Sequence, residues 1–224
     1  MIVLAIVLLL AVFLLPNLWA KWVLDRHAGP RDDYPGSGGE LAEHLLARMG
    51  IEEVKVELTE LGDHYDPQAR RVRLSRQHFE GHSLTAVTVA AHEVGHAIQH
   101  HRGYAPLLAR TRLVRVAQQA EKLGSLLMMA APVLLLLART PGGMFIVLLA
   151  AVASFGTAAL VHLVTLPVEF DASFQRALPL LKDYLPPYDM PGARHVLTAC
   201  AFTYVAASLA SLLNLGRWLM ILRR

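Results

Sequence analysis

The sequence predicts a mainly α membrane protein, with about four transmembrane helices and a small α+β domain made of a short antiparallel sheet and one long helix. Three observations predict it. Of 224 residues, 54% are hydrophobic and 17% charged, an apolar share above that of ordinary soluble domains. Four long windows are almost free of charge, and a helix that crosses the hydrocarbon core needs about 20 such residues. Between the first two windows lies one polar stretch, about residues 25 to 120, that carries both strand and helix periodicity.

Residues 1–20 carry no charged side chain, and Lys21 ends the run. A secretory signal begins with basic residues and ends in a small-residue cleavage site. Here no basic residue precedes the apolar run, so the reading is a retained anchor, 1–22, with Trp19 and Trp22 at the interface. The second window, Leu123 to Ala138, is short and would have to snorkel Lys122 and Arg139 or thin the bilayer. Thr140 to Val168 is ample to cross, and Thr140-Pro141-Gly142-Gly143 joins it to the second window as a hairpin over 121–168. Val196 to Gly216 is the fourth window, in a C-terminal segment 196–224. The single cysteine, Cys200, allows no intramolecular disulfide. A net charge of +3 without a basic cluster interleaved with aromatics argues against nucleic acid as a partner.

The polar region, 23–120, opens with a linker rich in Gly, Pro and Asp from Asp25 to Gly39. Ser37-Gly38-Gly39-Glu40 leads into a helix with an apolar stripe at Leu41, Leu45, Leu46 and Met49, and Gly50 is placed to stop it. Val54-Lys55-Val56-Glu57-Leu58 and Arg71-Val72-Arg73-Leu74-Ser75 alternate as half-buried strands do, and turn formers at 62–67 join them, which predicts an antiparallel pair. A helix over 83–101 follows, ended by Gly103 to Pro106.

That helix carries His92-Glu93-Val94-Gly95-His96. Four residues apart, the two rings project from one face with about 6 Å of rise between them, so both can reach one zinc ion. Glu93 beside the first ligand is positioned to take a proton from water that zinc makes nucleophilic near neutral pH. A catalytic zinc takes three protein ligands and leaves one position open. His100 lies about 12 Å of rise from His92, too far along the helix to close such a site. Two acids remain, Glu121 and Glu169. Glu121 sits among polar residues on what reads as a solvated face, whereas Glu169 and Asp171 end the third apolar window and make Glu169 the stronger candidate.

The run Ala90 to His100, with Asp63-His64-Tyr65-Asp66-Pro67 before it and Leu166-Pro167-Val168-Glu169-Phe170-Asp171 after it, resembles the YugP-type membrane zinc peptidases, the neutral zinc metallopeptidase or zinc peptidase 2 family. The resemblance implies a gluzincin-like enzyme on a zincin-like catalytic domain, with one Zn2+ per chain held by His92, His96 and Glu169 and with Glu93 as catalytic acid and base. Residues 169–195 become the third-ligand segment and loop. More remotely the chain resembles the HtpX-like and CaaX prenyl protease group, in which an Asp four residues after the ligand Glu orients a ligand His. Here that position is Ser173, and the nearby acid is Asp171.

The expected activity is hydrolysis of a peptide or membrane-protein substrate lying extended against a sheet edge. Tyr65, His64 and Arg176 are candidates to stabilise the oxyanion, and Asp171 to orient a ligand. The lipid bilayer is the expected surrounding, in a multi-pass protein of a bacterial cell membrane. Lys21, Arg26, Arg115, Lys122, Arg176 and Lys182 outnumber Arg139, Arg217, Arg223 and Arg224, which predicts a cytoplasmic catalytic side. The alternative is a non-catalytic membrane scaffold with a structural or vestigial metal site; retention of Glu93 speaks against it, since a structural site needs no general base.

Overall fold

In the computed structural model, which describes residues 15–138, 161 and 164–203, one helix is buried on every side and the other elements pack around it. This helix, Leu84–His101, is buried at every residue from Leu84 to Gln99. Its sequence explains how it can be enclosed. Small residues at Ala86, Ala90, Ala91, Gly95 and Ala97 let neighbours approach closely, and helices apolar on all faces are those that sit inside a core. Ser83 caps its N-terminus, accepting from the Ala86 amide at 3.1 Å.

In chain order the elements are α1 (15–26), α2 (Gly38–Arg48), β1 (Lys55–Leu58), β2 (His64–Asp66), β3 (Arg71–Leu74), α3 (Arg76–Phe79), α4 (Leu84–His101) and α5 (Ala105–Ala138). After the gap come α6 (164–170), a π-helix (Asp171–Ala177), α7 (Leu178–Leu181), a 3-10 turn (Pro187–Asp189) and α8 (190–203). Helix α2 begins with a capping box between Ser37 and Glu40, and its apolar side at Ala42, Leu45 and Leu46 packs on α4. Gly50, at φ +69°, turns the chain out of it.

The sheet differs from the expected antiparallel pair. β1 and β3 are parallel, in the register Lys55 with Arg71 through Leu58 with Leu74. The turn-rich segment between them forms a third strand, β2, which pairs antiparallel with β3 and reverses the chain a second time, giving the order β1-β3-β2. The tight turn before β3 includes Arg70 at φ +53°. Glu57 on β1 and Asp66 on β2 both pair with Arg73, which lies between them on β3.

The expectation of about four transmembrane helices is corrected. No helix among the described residues is long and apolar enough to cross a membrane. The described part of α1, residues 15–26, carries Lys21, Asp25 and Arg26. The part of α5 with described side chains bears Arg110, Arg112 and Arg115, and α8 bears Arg194 and His195. Residues 1–14, 139–160, 162–163 and 204–224, on which most of the first, third and fourth windows fall, lie outside the described residues, as do most side chains of the second window.

Asp63 fastens β2 to α3. Its Oδ1 accepts from the Ser75 amide at 2.8 Å and the Ser75 hydroxyl at 3.0 Å, and Oδ2 lies 2.7 Å from Nδ1 of the buried His78. Burial alone would raise the Asp63 pKa, but the His78 hydrogen bond and charge, with the Ser75 groups, outweigh it and hold the carboxyl below its ordinary value. A depressed folded-state pKa stabilises above the unfolded value near 4 and ceases to do so as pH falls through the folded value. Thermal denaturation followed between pH 7 and pH 3 should show this acid-side loss in the natural chain, and Asp63→Ala should remove about 1–3 kcal/mol at neutral pH by stranding His78 and the Ser75 amide.

Candidate metal centre

His92 and His96 meet Glu169 in the interior, at the contact between α4 and the segment that runs from α6 into the π-helix. The three residues are 2%, 4% and 0% exposed. Glu169 Oε2 lies 3.3 Å from His92 Nε2 and 3.2 Å from His96 Nε2, and the three candidate ligand atoms fall within 4.8 Å of one another. Pro167 lacks an amide hydrogen and so interrupts the hydrogen bonding of α6, and the chain then widens into a π-helix, a form frequent at functional sites. The wider turn brings Asp171 and Arg176, five residues apart, to 3.1 Å.

Gly95 permits the contact. A Cβ on it would sit 2.7 Å from the Ala172 carbonyl oxygen and 3.2 Å from the carbonyl carbon. The space beside the ligands is therefore filled by backbone, and α4 meets the π-helix at a range that any side chain would forbid.

The hydrogen bonds behind the two rings fix which nitrogen faces the centre. Gln99 Nε2 lies 2.8 Å from Val168 O and 2.8 Å from Asp171 Oδ2, both of which only accept, so this atom is the amide NH2. Gln99 Oε1 then faces His96 Nδ1 at 3.0 Å and accepts its proton. Ser173 Oγ donates its one proton to Leu197 O at 3.3 Å and so accepts from His92 Nδ1 at 3.0 Å. With Nδ1 of each ring engaged on its far side, Nε2 is the nitrogen that faces the carboxylate of Glu169, and in a neutral ring it presents a lone pair there. Three electron-rich atoms converging out of reach of water repel one another, and a cation between them removes the conflict. The donor set of two imidazoles and a carboxylate fits a catalytic zinc with an open position.

Glu93, 6% exposed, lies beside this centre. Burial lifts its pKa to about 7; the His92 ring opposes the rise, the Glu169 and Asp63 charges add to it, and the Tyr65 backbone amide opposes it. Glu93 and His96 form the inner wall of a cleft of about 450 Å3 closed on one side by β2 and its turn and on the other by α5. On α5, Leu107, Arg110, Thr111, Val114, Arg115 and Gln118 fall on one helix face and line it. Arg110 Nη1 lies 3.2 Å from Glu169 Oε1, the carboxylate oxygen turned away from the histidines.

Of the residues singled out from sequence, His92, Glu93, His96 and Glu169 are brought together. Tyr65 and His64 line the cleft, but the Tyr65 hydroxyl is taken by His100 Nδ1 at 2.7 Å and His64 Nδ1 donates to Gly62 O at 2.8 Å. Arg176 is held by Asp171 and lies over the Tyr104 ring. Asp171 reaches neither histidine directly and meets His96 only through Gln99. The side chain of Glu121 lies outside the described residues. Gln99 and Arg110 were not anticipated. Gln99 could have been found as a polar residue three after His96 on the same helix face, and Arg110 as part of the cleft-facing stripe of α5.

A family model described as "Putative neutral zinc metallopeptidase" matches residues 1–223. The chain is 38% identical over 188 residues to the "Putative membrane protease YugP" of Bacillus subtilis (strain 168), covering 83% of this chain and 80% of that protein. No solved structure matches at a significant level.

The Gly95 contact predicts a specific defect. Gly95→Ala must push the π-helix away from α4, because the obstruction is backbone that no rotamer change relieves. Chelator-competition titration should report a loss of zinc affinity of about 10-fold or more, the scale on which displaced ligand supports act; affinity equal to that of the natural chain would show that the close contact does not position Glu169.

Proposed function

Since this chain belongs to the neutral zinc metallopeptidase family, we propose that it is a membrane-associated zinc metalloendopeptidase in which His92, His96 and Glu169 hold one ion and Glu93 is the general base. The observation that carries the reading is that two imidazole Nε2 atoms lie 3.3 and 3.2 Å from one carboxylate oxygen in the interior, at the wall of a cleft. A zinc ion bound by such a set supplies Lewis acidity, lowering the pKa of water at its open position to near neutrality and polarising a carbonyl.

The chain's own groups do the rest. Glu93 takes the proton from the attacking water and returns it to the leaving amine, from its place beside His96 on the cleft wall. Glu169, held on its outer oxygen by Arg110, keeps its inner oxygen toward the histidines. An extended peptide would add to β2, the edge strand at the cleft, with main-chain hydrogen bonds setting its register. The substrate class proposed is a peptide or the peptide segment of a membrane protein.

Association with a lipid bilayer is supported by the relative's name and by an aromatic collar on the surface. Trp19 and Phe202 meet edge to face at 6.1 Å, Phe170 lies 6.3 Å from Phe202, and Trp22 is 56% exposed beside them on α1. Exposed Trp residues grouped this way suit the polar boundary of a membrane. In a Trp218→Phe protein reconstituted in vesicles, fluorescence from Trp19 and Trp22 should be quenched by lipids brominated near the headgroup; unquenched emission would place the collar in water.

Two variants test the catalytic reading. Glu93→Gln should keep stoichiometric zinc and reduce peptide hydrolysis by about 100-fold or more. Glu169→Ala should lose zinc as severely as His96→Ala. A Glu169→Ala protein with full zinc would remove Glu169 from the ligand set, and a Glu93→Gln protein with full activity would remove the general base.

A further inference from the structure

Gln99 lies one turn beyond His96 and uses its whole amide. Its oxygen accepts from His96 Nδ1, and its nitrogen donates to Val168 O and to Asp171 Oδ2, at 3.0, 2.8 and 2.8 Å. The two acceptors flank Glu169 in sequence, one residue before it and two after. The side chain is fully buried, at 0% exposure. Asp171 is braced in turn by Arg176 at 3.1 Å, and Arg176 packs over the Tyr104 ring just beyond the end of α4.

We propose that Gln99 is a positioning residue that clasps the two halves of the metal centre, orienting His96 on α4 while its amide nitrogen holds the Val168 carbonyl before Glu169 and the Asp171 side chain after it. Resting on the zinc reading above, it adds that the distance between the histidine helix and the carboxylate segment is set by an uncharged side chain. Neither histidine has a carboxylate directly behind it, because Ser173 supports His92 as Gln99 supports His96. A carboxylate in place of Gln99 would still orient His96 but would lose both donors and face Asp171 with like charge. Residues that orient metal ligands typically change affinity by about 10–100-fold when altered.

The test uses the full chain with Gln99→Met, Gln99→Glu and the polarity swap Gln99→Glu with Asp171→Asn, in which the amide introduced at position 171 can donate to the carboxylate introduced at position 99. Zinc affinity is read by chelator competition, the geometry of the site by the visible spectrum of the cobalt-substituted protein, and catalysis as separate kcat and KM values. Gln99→Met and Gln99→Glu are each expected to weaken zinc about 10-fold or more, shift the cobalt bands and lower kcat more than they raise KM, and the swap to recover part of the affinity that Gln99→Glu loses, since it restores the contact with position 171 but leaves Val168 O without a donor. A folded Gln99→Met protein with unchanged affinity and spectrum overturns the proposal. Binding by Gln99→Glu as tight as or tighter than the natural chain also overturns it, since that is the result expected of a residue acting on His96 alone. If Gln99→Met does not fold, the decision falls to the swap, and its failure to improve on Gln99→Glu overturns the clasp. Absence of zinc and cobalt binding by the natural chain would instead defeat the zinc reading itself.

Discussion

The fold is built around the convergence of two imidazoles and a carboxylate on one point in the interior. Two imidazole nitrogens and a carboxylate oxygen point at one another in the interior, with their outer sides already committed to Gln99, Ser173 and Arg110. The neighbouring arrangements serve this contact. Helix α4 is enclosed on all sides, so the rings have little freedom to turn away. Gly95 lets the π-helix lie directly on α4, and the π-helix delivers Ser173 to one ring and Asp171 to the partner of the other.

The centre also joins segments far apart in sequence. The ligands come from α4 and from the end of α6, and α2 also packs on α4. Arg31 binds Asp33 and Asp189 together, and the Tyr34 hydroxyl donates to the same Asp189 at 2.8 Å, so the chain before α2 is fastened to the turn before α8. Arg48 on α2 reaches Tyr184 and Asp183 after α7. These exposed or half-buried pairs are each worth little alone. Their effect is to close a ring of segments around α4.

What was legible in the sequence was what local spacing determines. His92, Glu93 and His96 are readable because four residues on a helix define a shared face whatever surrounds it. Glu169 was readable as an acid at the end of an apolar run. Ser173, Gln99 and Arg110 were not assigned roles, because a serine, a glutamine and an arginine acquire them only from partners distant in the chain and brought close by the fold. The sheet misled for a related reason. Turn formers at Gly62, Asp63, Asp66 and Pro67 outweighed a three-residue strand, and one more strand between two others converts an antiparallel pair into a parallel one. The apolar windows suggested spanning helices, whereas no helix among the described residues is long and apolar enough to cross a membrane, and α5 places Arg110, Arg112 and Arg115 on the same helix as the second window.

Zinc K-edge absorption spectroscopy on the protein purified without added metal reports directly on the atoms that surround the ion. A centre made by His92, His96 and Glu169 requires one zinc per chain, with the multiple-scattering signature of two imidazoles, a shell of oxygen ligands and no sulfur. Zinc far below one per chain, or a coordination shell with one imidazole or with sulfur, would contradict it.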